Sequence, residues 1–341
     1  MDKILVLKGI EKILESPQHI AITVHTNPDG DAIGSALALY HFLRKFNHQV
    51  KIIAPNQFPD FLAWLPGAED ILIFEQDAKA CRTVLEEASL LFCLDFNALS
   101  RSGALQDDLK KLEIPRLLID HHREPETESF VYCYSDTSVS STAELIYELI
   151  AYYDFEKYAD NAIAQALFTG IMTDTGSFSH SINRPETFEI TAKLIRSGLD
   201  AVRVHQLVYD TFSESRLRLL GHAISNCMLV FDEYATAIIQ LSREDLQKYN
   251  FQIGDTEGVV NYPLSMKKIN MAVLVTEKKD TIRFSFRSKG GFSVHELAKE
   301  HFNGGGHKNA SGGSMKTDLK AAVSKLISVL PNYREDLLNS I

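Results

Sequence analysis

The chain has 341 residues, more than one ordinary hydrophobic core accommodates, so two domains are expected. With 45% hydrophobic and 23% charged residues, its composition is that of an ordinary globular protein. Its formal net charge of -10 argues against a protein that coats long duplex nucleic acid, because such proteins are usually basic. No run approaches the roughly 20 apolar residues of a membrane span. The N-terminus does not resemble a signal peptide, and a cytoplasmic protein with no membrane contact is expected. The four cysteines show no paired spacing, which favours reduced thiols over disulfides or a zinc knuckle.

In the first half of the chain, short apolar or β-branched runs alternate with amphipathic segments. The apolar runs are residues 20–24, 50–53, 90–94 and 117–119, and a helical pattern covers residues 32–46. This alternation predicts an α/β fold with a doubly wound, largely parallel sheet and helices on both faces. Ligands of such sheets lie beyond the carboxyl ends of the strands, so we expect chemically active residues directly after the strands.

Three helical patterns follow before the expected domain boundary, at residues 141–153, 161–173 and 185–197, and Gly198 is a stop signal for the last of them. A smaller mixed α/β domain is predicted beyond these helices. Its expected elements are helices at 214–224 and 294–301 and strands at 228–231, 235–241, 271–276 and 281–287. The predicted domains are residues 1–195 and 216–341, joined by a linker at 196–215, and the active site is expected in the cleft between them.

One imidazole and two carboxylates follow the first predicted strand. His25, Asp29 and Asp31 lie in a strand-to-helix turn that Pro28 and Gly30 would hold bent. An Asp at this position commonly caps the following helix, so helix capping is one interpretation. The other interpretation is metal binding, because a cap does not need two carboxylates and an imidazole.

Further acidic and imidazole side chains follow the next strands. Asp120, His121 and His122 end one predicted strand, and Asp95 follows another. Asp174 lies in a Thr-Asp-Thr-Gly-Ser-Phe segment. Asp95 could instead cap the turn that it precedes, and Asp174 could be an ordinary turn residue.

Carboxylates crowded at one edge of a sheet would repel one another, and divalent cations would relieve that repulsion. Oxygen and nitrogen ligands without thiolates favour Mn²⁺, with Mg²⁺, Co²⁺ or Fe²⁺ as alternatives. Two such ions can hold both the attacking and the leaving oxygen of a phosphoryl transfer. The pattern therefore predicts a two-metal site.

The C-terminal part has a local excess of positive charge and a glycine-rich segment. Residues 261–320 contain eleven Lys or Arg against five Asp or Glu, which suits a small polyanionic ligand or, equally, a solvated basic face. Gly304, Gly305 and Gly306 precede His307. Glycines alone indicate a flexible loop, but because His307 follows them and Arg287 precedes them, a phosphate-binding cradle is the favoured interpretation.

Four segments, in order, resemble the motifs of the DHH phosphoesterase superfamily: HTNPDGDAIGS at residues 25–35, Asp95 with Arg101 behind it, the triplet at 120–122, and TDTGSF at 173–178. Arg287-Ser288 and the GGGHKNASGG segment at residues 304–313 resemble its DHH-associated C-terminal domain. The resemblance spans most of the chain, and it is greatest to the NrnA-type subgroup, which is often labelled exopolyphosphatase-related.

The resemblance implies a role for each candidate residue. His25, Asp29 and Asp95 would bind one Mn²⁺, and Asp31, Asp95, His121 and Asp174 the other, so that Asp95 bridges the two ions. Asp120 would orient an imidazole, and His122 would face the scissile phosphate. Substrate would be bound by Arg101, Arg287, Ser288, Gly304, Gly305, Gly306 and His307.

The resemblance also implies the reaction and the partners. We expect hydrolysis of short single-stranded oligoribonucleotides to mononucleotides, and of 3′-phosphoadenosine 5′-phosphate (pAp) to AMP and phosphate, by a homodimer. Alternatives are cleavage of linear or cyclic dinucleotides such as c-di-AMP, then of polyphosphate or pyrophosphate. A nucleotide-binding protein without turnover is a different class, and it would be expected to lack at least one metal-ligand position.

Overall fold

The computed structural model of the chain describes residues 3–180 and 182–340. It divides into two compact units, Met1–Thr211 and Phe212–Ile341. Within the described residues each unit is built on a six-stranded sheet. None of the described helices combines the length and the apolar composition needed to cross a membrane.

The sheet of the N-terminal unit is parallel throughout, as the alternating pattern predicts. Its strands are β1 (His19–Thr23), β2 (Gln49–Ala54), β3 (Leu72–Ile73), β4 (Leu90–Leu94), β5 (Arg116–Asp120) and β6 (Tyr132–Ser135). They lie in the order β3-β2-β1-β4-β5-β6, and every neighbouring pair is parallel. The strand order reverses direction between β1 and β4, which is where ligands bind in sheets of this kind.

Helices cover both faces of this sheet. They are α1 (Lys3–Ile13), α2 (Gly30–Arg44), α3 (Ala78–Glu87), α4 (Gln106–Lys111), α5 (Thr142–Tyr152), α6 (Phe155–Tyr158), α7 (Asn161–Asp174), α8 (Pro185–Arg196) and α9 (Ala201–Tyr209). Successive strand residues point to opposite faces. Ile20 and Ile22 therefore pack in the core that contains α2, α5 and α7, whereas Ala21 packs in the core that contains α3 and α4.

Glycines allow α2 and α7 to approach each other closely. A Cβ atom on Gly34 of α2 would lie 2.5 Å from the carbonyl oxygen of Ala166 and 2.9 Å from the nitrogen of Gly170, both in α7. Such distances are far inside van der Waals contact. The contact holds the start of α2, which carries Asp31, against α7, which ends at Asp174.

The predicted helix boundaries are close to the observed ones. Helix α8 ends at Arg196, and Gly198 has a φ of 100°, a left-handed conformation that glycine adopts without the strain a side chain adds. Gly198 is thus a stop signal, as predicted. Ser141 caps α5 by accepting a hydrogen bond from the backbone of Glu144.

The C-terminal unit contains a mixed sheet, again as predicted. Its elements are α10 (Glu214–Asn226), β7 (Met228–Phe231), β8 (Thr236–Leu241), α11 (Arg243–Lys248), β9 (Met271–Glu277), β10 (Ile282–Ser288), α12 (Val294–His301), β11 (Gly305–His307), β12 (Ala310–Met315), α13 (Leu319–Val329) and α14 (Arg334–Leu338). The strands lie in the order β11-β12-β10-β9-β8-β7. Among the described strands of this sheet, β8 and β9 form a parallel pair and the other neighbouring pairs are antiparallel.

The glycine-rich segment is more ordered than a flexible loop. Gly305 to His307 form β11, which pairs with β12 in antiparallel register. A Cβ atom on Gly304 would lie 2.0 Å from the carbonyl oxygen of Gly312. The close approach of the backbone at Gly312 therefore leaves no room for a side chain at residue 304, and glycine is needed there for packing alone.

Candidate metal centre

The loops after β1, β4 and β5 bring the predicted side chains together at the carboxyl edge of the parallel sheet. β1 and β4 are neighbours, and His25 and Asp95 follow them. Asp120 is the last residue of β5 rather than the first residue after it, and His121 and His122 continue from it. The ends of α7 and the start of α2 add Asp174 and Asp31.

His25 lies at the centre of a first group of metal-ligand atoms. Its Nε2 atom is 3.4 Å from Oδ2 of Asp95 and 3.8 Å from Oδ2 of Asp29. Its Nδ1 atom lies 2.9 Å from the carbonyl oxygen of Thr26, to which an Nδ1–H group would donate. That hydrogen bond directs the Nε2 lone pair toward the two carboxylates.

His121 lies at the centre of a second group. Its Nε2 atom is 3.5 Å from Oδ1 of Asp95, 3.6 Å from Oδ2 of Asp174 and 3.8 Å from Oδ2 of Asp31. Asp95 thus turns one carboxylate oxygen to each group. All these residues except Asp29 and Asp174 are buried.

The distances within both groups fit ligands of a shared cation. Separations of 3.4–3.8 Å are longer than ordinary hydrogen bonds. Atoms that bind one ion at about 2.1 Å lie roughly 3.0–3.5 Å apart, so a modest contraction would complete each set. The donor atoms are carboxylate oxygens, which suit Mn²⁺ and Mg²⁺, and imidazole nitrogens, which favour a transition metal such as Mn²⁺ over Mg²⁺.

The electrostatics of the cluster favour positive charge. Burial and the negative charges of Asp95 and Asp174 raise the pKa of Asp31 well above its ordinary value. Burial lowers the pKa of His25, but hydrogen bonds to Asp29 and Asp95 outweigh it and raise the pKa to about 10. Nearby negative charge contributes to both shifts, and a divalent cation would neutralise that charge in place of protons.

Asp29 both caps a helix and faces the cluster. Its Oδ1 atom accepts hydrogen bonds from the backbone nitrogens of Asp31 and Ala32 at 3.1 Å, which caps α2. Its Oδ2 atom is the one that faces His25. The two interpretations of this residue are therefore compatible, since each uses a different oxygen.

The start of α5 donates hydrogen bonds to two of the carboxylates, an interaction that sequence analysis did not predict. The backbone nitrogens of Thr142 and Ala143 donate to Asp31 at 2.6 and 2.9 Å, and the Thr142 hydroxyl donates to Oδ1 of Asp95 at 2.9 Å. A helix N-terminus stabilises negative charge. The Ser-x-x-Glu pattern of Ser141 and Glu144 marks a helix start, but nothing in it indicates which carboxylates the helix faces.

Asp95 has a left-handed backbone, with a φ of 63°. Its nitrogen donates to the carbonyl oxygen of Ile119 at 3.1 Å, which ties the turn after β4 to β5. Non-glycine residues adopt this conformation rarely, and Asp tolerates it better than most. The turn allows one carboxylate to reach both His25 and His121.

Asp120 and His122 form a buried pair beside the two groups. Nδ1 of His122 lies 2.7 Å from Oδ1 of Asp120. Burial and the positive charge of Arg101 hold the pKa of His122 well below its ordinary value, so the imidazole is neutral near pH 7. In that form Nδ1–H donates to Asp120, and the Nε2 atom carries the lone pair.

Arg101 belongs to this edge of the N-terminal unit. Its carbonyl oxygen accepts a hydrogen bond from the backbone nitrogen of Thr26 at 2.8 Å. Its positive charge contributes to the low pKa of His122 and opposes, without reversing, the rise in the pKa of His25. Because its charge acts on both imidazoles, the guanidinium could also attract a phosphate bound at the cluster.

The remaining predicted residues lie in the C-terminal unit. Ser288 is buried, donates to the carbonyl oxygen of Phe292 at 2.8 Å and accepts from Asn309 at 2.9 Å. The backbone nitrogens of Gly304 and Gly306 donate to Ala298 O and His295 Nδ1, respectively, each at 3.1 Å. These internal hydrogen bonds therefore hold the backbone beside Arg287, near the end of β10, and His307, the last residue of β11. Sequence analysis did not identify Asn309 or His295.

Comparison with known proteins assigns the family. Residues 19–171 match the DHH family, N-terminal domain, and residues 234–332 match the DHHA1 domain. A crystal structure of an exopolyphosphatase-related protein from Bacteroides fragilis is 39% identical in sequence, covers 98% of both chains and has a TM-score of 0.91.

Two proteins of Thermus thermophilus are also similar. The "Bifunctional oligoribonuclease and PAP phosphatase NrnA" is 27% identical over 337 residues, which are 98% of this chain and 95% of the relative. The structure of RecJ in complex with Mn²⁺ shares the fold, with a TM-score of 0.53 at 14% identity over 97% of this chain and 55% of RecJ. Both domain matches, in the expected order, show that the chain belongs to the DHH family of metal-dependent phosphoesterases.

Proposed function

We propose that this chain hydrolyses short single-stranded oligoribonucleotides from one end to mononucleotides, and pAp to AMP and phosphate. The observation that carries the proposal is the position of Asp95, whose two oxygens face two different groups of ligand atoms 3.4–3.5 Å away. A carboxylate that binds two ions would hold them as close together as two-metal hydrolysis needs. The activity named for the Thermus thermophilus relative supports this choice of substrates among phosphoesters.

The proposed metal ligands are the residues of the two groups centred on His25 and His121. His25, Asp29 and Asp95 would bind one ion, and Asp31, Asp95, His121 and Asp174 the other, with Mn²⁺ as the ion and Mg²⁺ or Co²⁺ as substitutes. Bound there, the ions would supply Lewis acidity toward the phosphate and activate a water molecule.

His122, positioned by Asp120, would act as the general base and general acid of the reaction. Because Nδ1 of His122 donates to Asp120, the Nε2 lone pair can accept a proton, and the imidazolium so formed can return it to a phosphate oxygen or leaving group. Asp120 would hold the ring orientation and stabilise the charged form. The low pKa of His122 makes it a weak base in the resting enzyme and a strong acid once protonated.

Positive and polar groups would bind the substrate phosphates. We assign this role to Arg101, beside the metal centre, and to Arg287 and His307 in the C-terminal unit. Ser288 and the glycines 304–306 would support them, because their own polar groups make the internal hydrogen bonds described above. A phosphate contact that is equally strong in the substrate complex and in the transition state contributes to affinity and not to the chemical step, and we assign these side chains that role.

The test is release of mononucleotide from a 5′-phosphorylated diribonucleotide in the presence of Mn²⁺, with pAp, c-di-AMP and pyrophosphate at matched concentrations. Turnover of the dinucleotide and pAp without turnover of pyrophosphate supports the proposal. Faster turnover of c-di-AMP than of either would replace it with a cyclic-dinucleotide phosphodiesterase. No cleavage with Mn²⁺, Mg²⁺ or Co²⁺ would replace it with a nucleotide-binding protein.

We also propose that the active form is a homodimer, as resemblance to the family implies. Light scattering of the purified chain, run with size-exclusion chromatography, measures the mass directly. A mass of twice 38.3 kDa supports the dimer, and a mass of 38.3 kDa contradicts it.

A further inference from the structure

His222, Cys227 and Asp245 form a cluster of three different metal-ligand types in the C-terminal unit. One ligand atom from each residue lies within 4.8 Å of the other two. His222 is in the last turns of α10, Cys227 follows the end of that helix, and Asp245 is in α11. The three donors thus come from separate points of the chain, which explains why sequence spacing did not reveal them.

Contacts outside the cluster orient the carboxylate and the imidazole. Oδ2 of Asp245 accepts hydrogen bonds from the backbone nitrogen and the hydroxyl of Ser242 at 2.9 and 2.6 Å, which completes the capping box of α11. This leaves Oδ1 directed at Nε2 of His222, 2.8 Å away. The ring of His222 packs against that of Tyr249, with centroids 5.1 Å apart.

The backbone of Cys227 is also held. Its carbonyl oxygen accepts a hydrogen bond from the nitrogen of Gln240 at 3.1 Å, which ties it to β8. The side chain is half-buried. Burial and the negative charge of Asp245 raise the pKa of the thiol, so a neighbouring cation is what would make this sulfur a thiolate.

We propose that His222, Cys227 and Asp245 bind a Zn²⁺ ion, with water at a fourth, tetrahedral position. Zn²⁺ takes sulfur at about 2.3 Å and nitrogen or oxygen at about 2.0–2.2 Å, so its ligand atoms lie roughly 3.3–3.7 Å apart. Binding would replace the hydrogen bond between His222 Nε2 and Asp245, because Nε2 binds the ion only without its proton, which would move through solvent to Nδ1. The sulfur would move inward, and the thiol proton would be released to solvent. The ion would cross-link the C-terminal end of α10 to α11.

The donor set distinguishes this site from the metal centre of the N-terminal unit. The candidate groups of that unit contain only His and Asp in the part of the chain that is described. Thiolate favours Zn²⁺ and Co²⁺ over Mn²⁺ and Mg²⁺. One chain would therefore hold two metal sites of different preference, and sulfur ligation reports on the C-terminal site alone.

The experiment is a Co²⁺ titration of the full chain after removal of metals with a chelator, followed by near-ultraviolet absorption from thiolate-to-Co²⁺ charge transfer. Wild-type protein is expected to show this absorption, saturating at one thiolate-bound Co²⁺ per chain, and Zn²⁺ should abolish it. Cys227→Ser should lack the absorption. Cys133→Ser, which removes the other half-buried cysteine, should retain it.

A second variant and a folding control complete the test. His222→Gln should weaken Co²⁺ binding by more than about tenfold while leaving the cysteine in place. In chelator, all three variants should melt within a few degrees of the wild type, which shows that they fold. Absence of the charge-transfer band in the wild type, or its persistence in Cys227→Ser, would overturn the proposal.

Discussion

Nδ1 of His122 lies 2.7 Å from Oδ1 of Asp120, and both residues are buried at the end of β5. The next contact of that nitrogen with a carboxylate oxygen, to Asp95, is longer, at 3.7 Å. Asp120 thus holds the imidazole, while Asp95 faces the two groups of ligand atoms. This division predicts different consequences for substitutions of the two aspartates.

Asp120→Asn is expected to lower kcat by about 10–100-fold, because an amide neither selects the Nδ1–H tautomer of His122 nor stabilises its charged form. The bound-metal content should stay at the wild-type value, measured by elemental analysis after gel filtration. Loss of one metal equivalent in this variant would show that Asp120 is itself a ligand.

Asp95→Asn is expected to abolish turnover and to lower bound metal, since one carboxylate faces both groups of ligand atoms. Asn also tolerates the left-handed backbone at this position, with its φ of 63°, so the variant should fold. Circular dichroism and the melting temperature in chelator check this.

Arg287→Ala makes the informative contrast with Asp95→Asn. We expect it chiefly to raise KM for the diribonucleotide, by roughly 10-fold, with kcat little changed, because a phosphate contact away from the reacting bond contributes to binding. Steady-state kinetics of both variants measure the two parameters. Equal and mild losses in both variants would contradict the roles assigned here.

Thr142 tests the support that α5 gives to the metal centre. Its hydroxyl donates to Asp95 at 2.9 Å and its side chain is fully buried. Thr142→Val keeps the shape but removes the donor, and it should weaken Mn²⁺ binding by about 10–100-fold. Thr142→Ser keeps the donor and is the matched control. Isothermal titration of the two variants would give equal affinities if the hydrogen bond were irrelevant.

The sequence predicts the strands that position the metal centre, because each strand is marked by a local run of apolar residues. Apolar runs place β1, β4 and β5, and parallel strands must end at one edge, so His25, Asp95 and His121 are brought together by topology alone. The support from Thr142 and Ala143 is not local. It arises where α5 meets α2, more than a hundred residues away in sequence from Asp31.

Elements with weak or unusual patterns were not predicted. β3 has two residues and β6 four, too short for a periodicity to be seen. β11 and β12 consist largely of glycine and small polar residues, which indicate loops when read locally. β12 is stabilised by pairing with β10, whose buried residues alternate with more exposed ones, and β11 is stabilised by pairing with β12.

An ion pair between α1 and the end of β6 gives a pH-dependent contribution to stability. Lys3 Nζ lies 2.8 Å from Oδ2 of Asp136. Burial raises the pKa of Asp136, but hydrogen bonds from Lys3 and Ser138 outweigh it and lower the pKa to about 2. A lowered pKa means that the contribution is present above the unfolded value, about 3.9, and is lost as the pH falls toward 2.

Asp136→Asn should therefore lower the free energy of unfolding at pH 7 by about 1 kcal/mol, a value discounted for the exposure of Lys3. Urea denaturation of both proteins at several pH values measures the gap, which should shrink steadily between pH 4 and pH 2. A gap that stays constant over this range would show that the effect is packing and not charge. The same substitution in a Lys3→Met background should cost less.

Two glycine-to-alanine substitutions test whether the α2–α7 contact, and not helix propensity, sets the position of Asp31. In Gly34→Ala the new methyl group would lie 2.5 Å from the carbonyl oxygen of Ala166, so the helices must separate, at a cost of about 1–3 kcal/mol. Gly221 lies within α10, and a Cβ atom there meets nothing within 4 Å.

Gly221→Ala should accordingly stabilise the protein by about 0.5–1 kcal/mol, because alanine restricts the unfolded chain and glycine is a poor helix former. Gly34→Ala should also weaken Mn²⁺ binding, because Asp31 and Asp174 sit on the two helices that move apart, whereas Gly221→Ala should not. Urea denaturation and metal titration of both variants separate these effects. If Gly34→Ala were destabilised but bound Mn²⁺ as tightly as the wild type, the contact would matter for folding and not for the geometry of the metal centre.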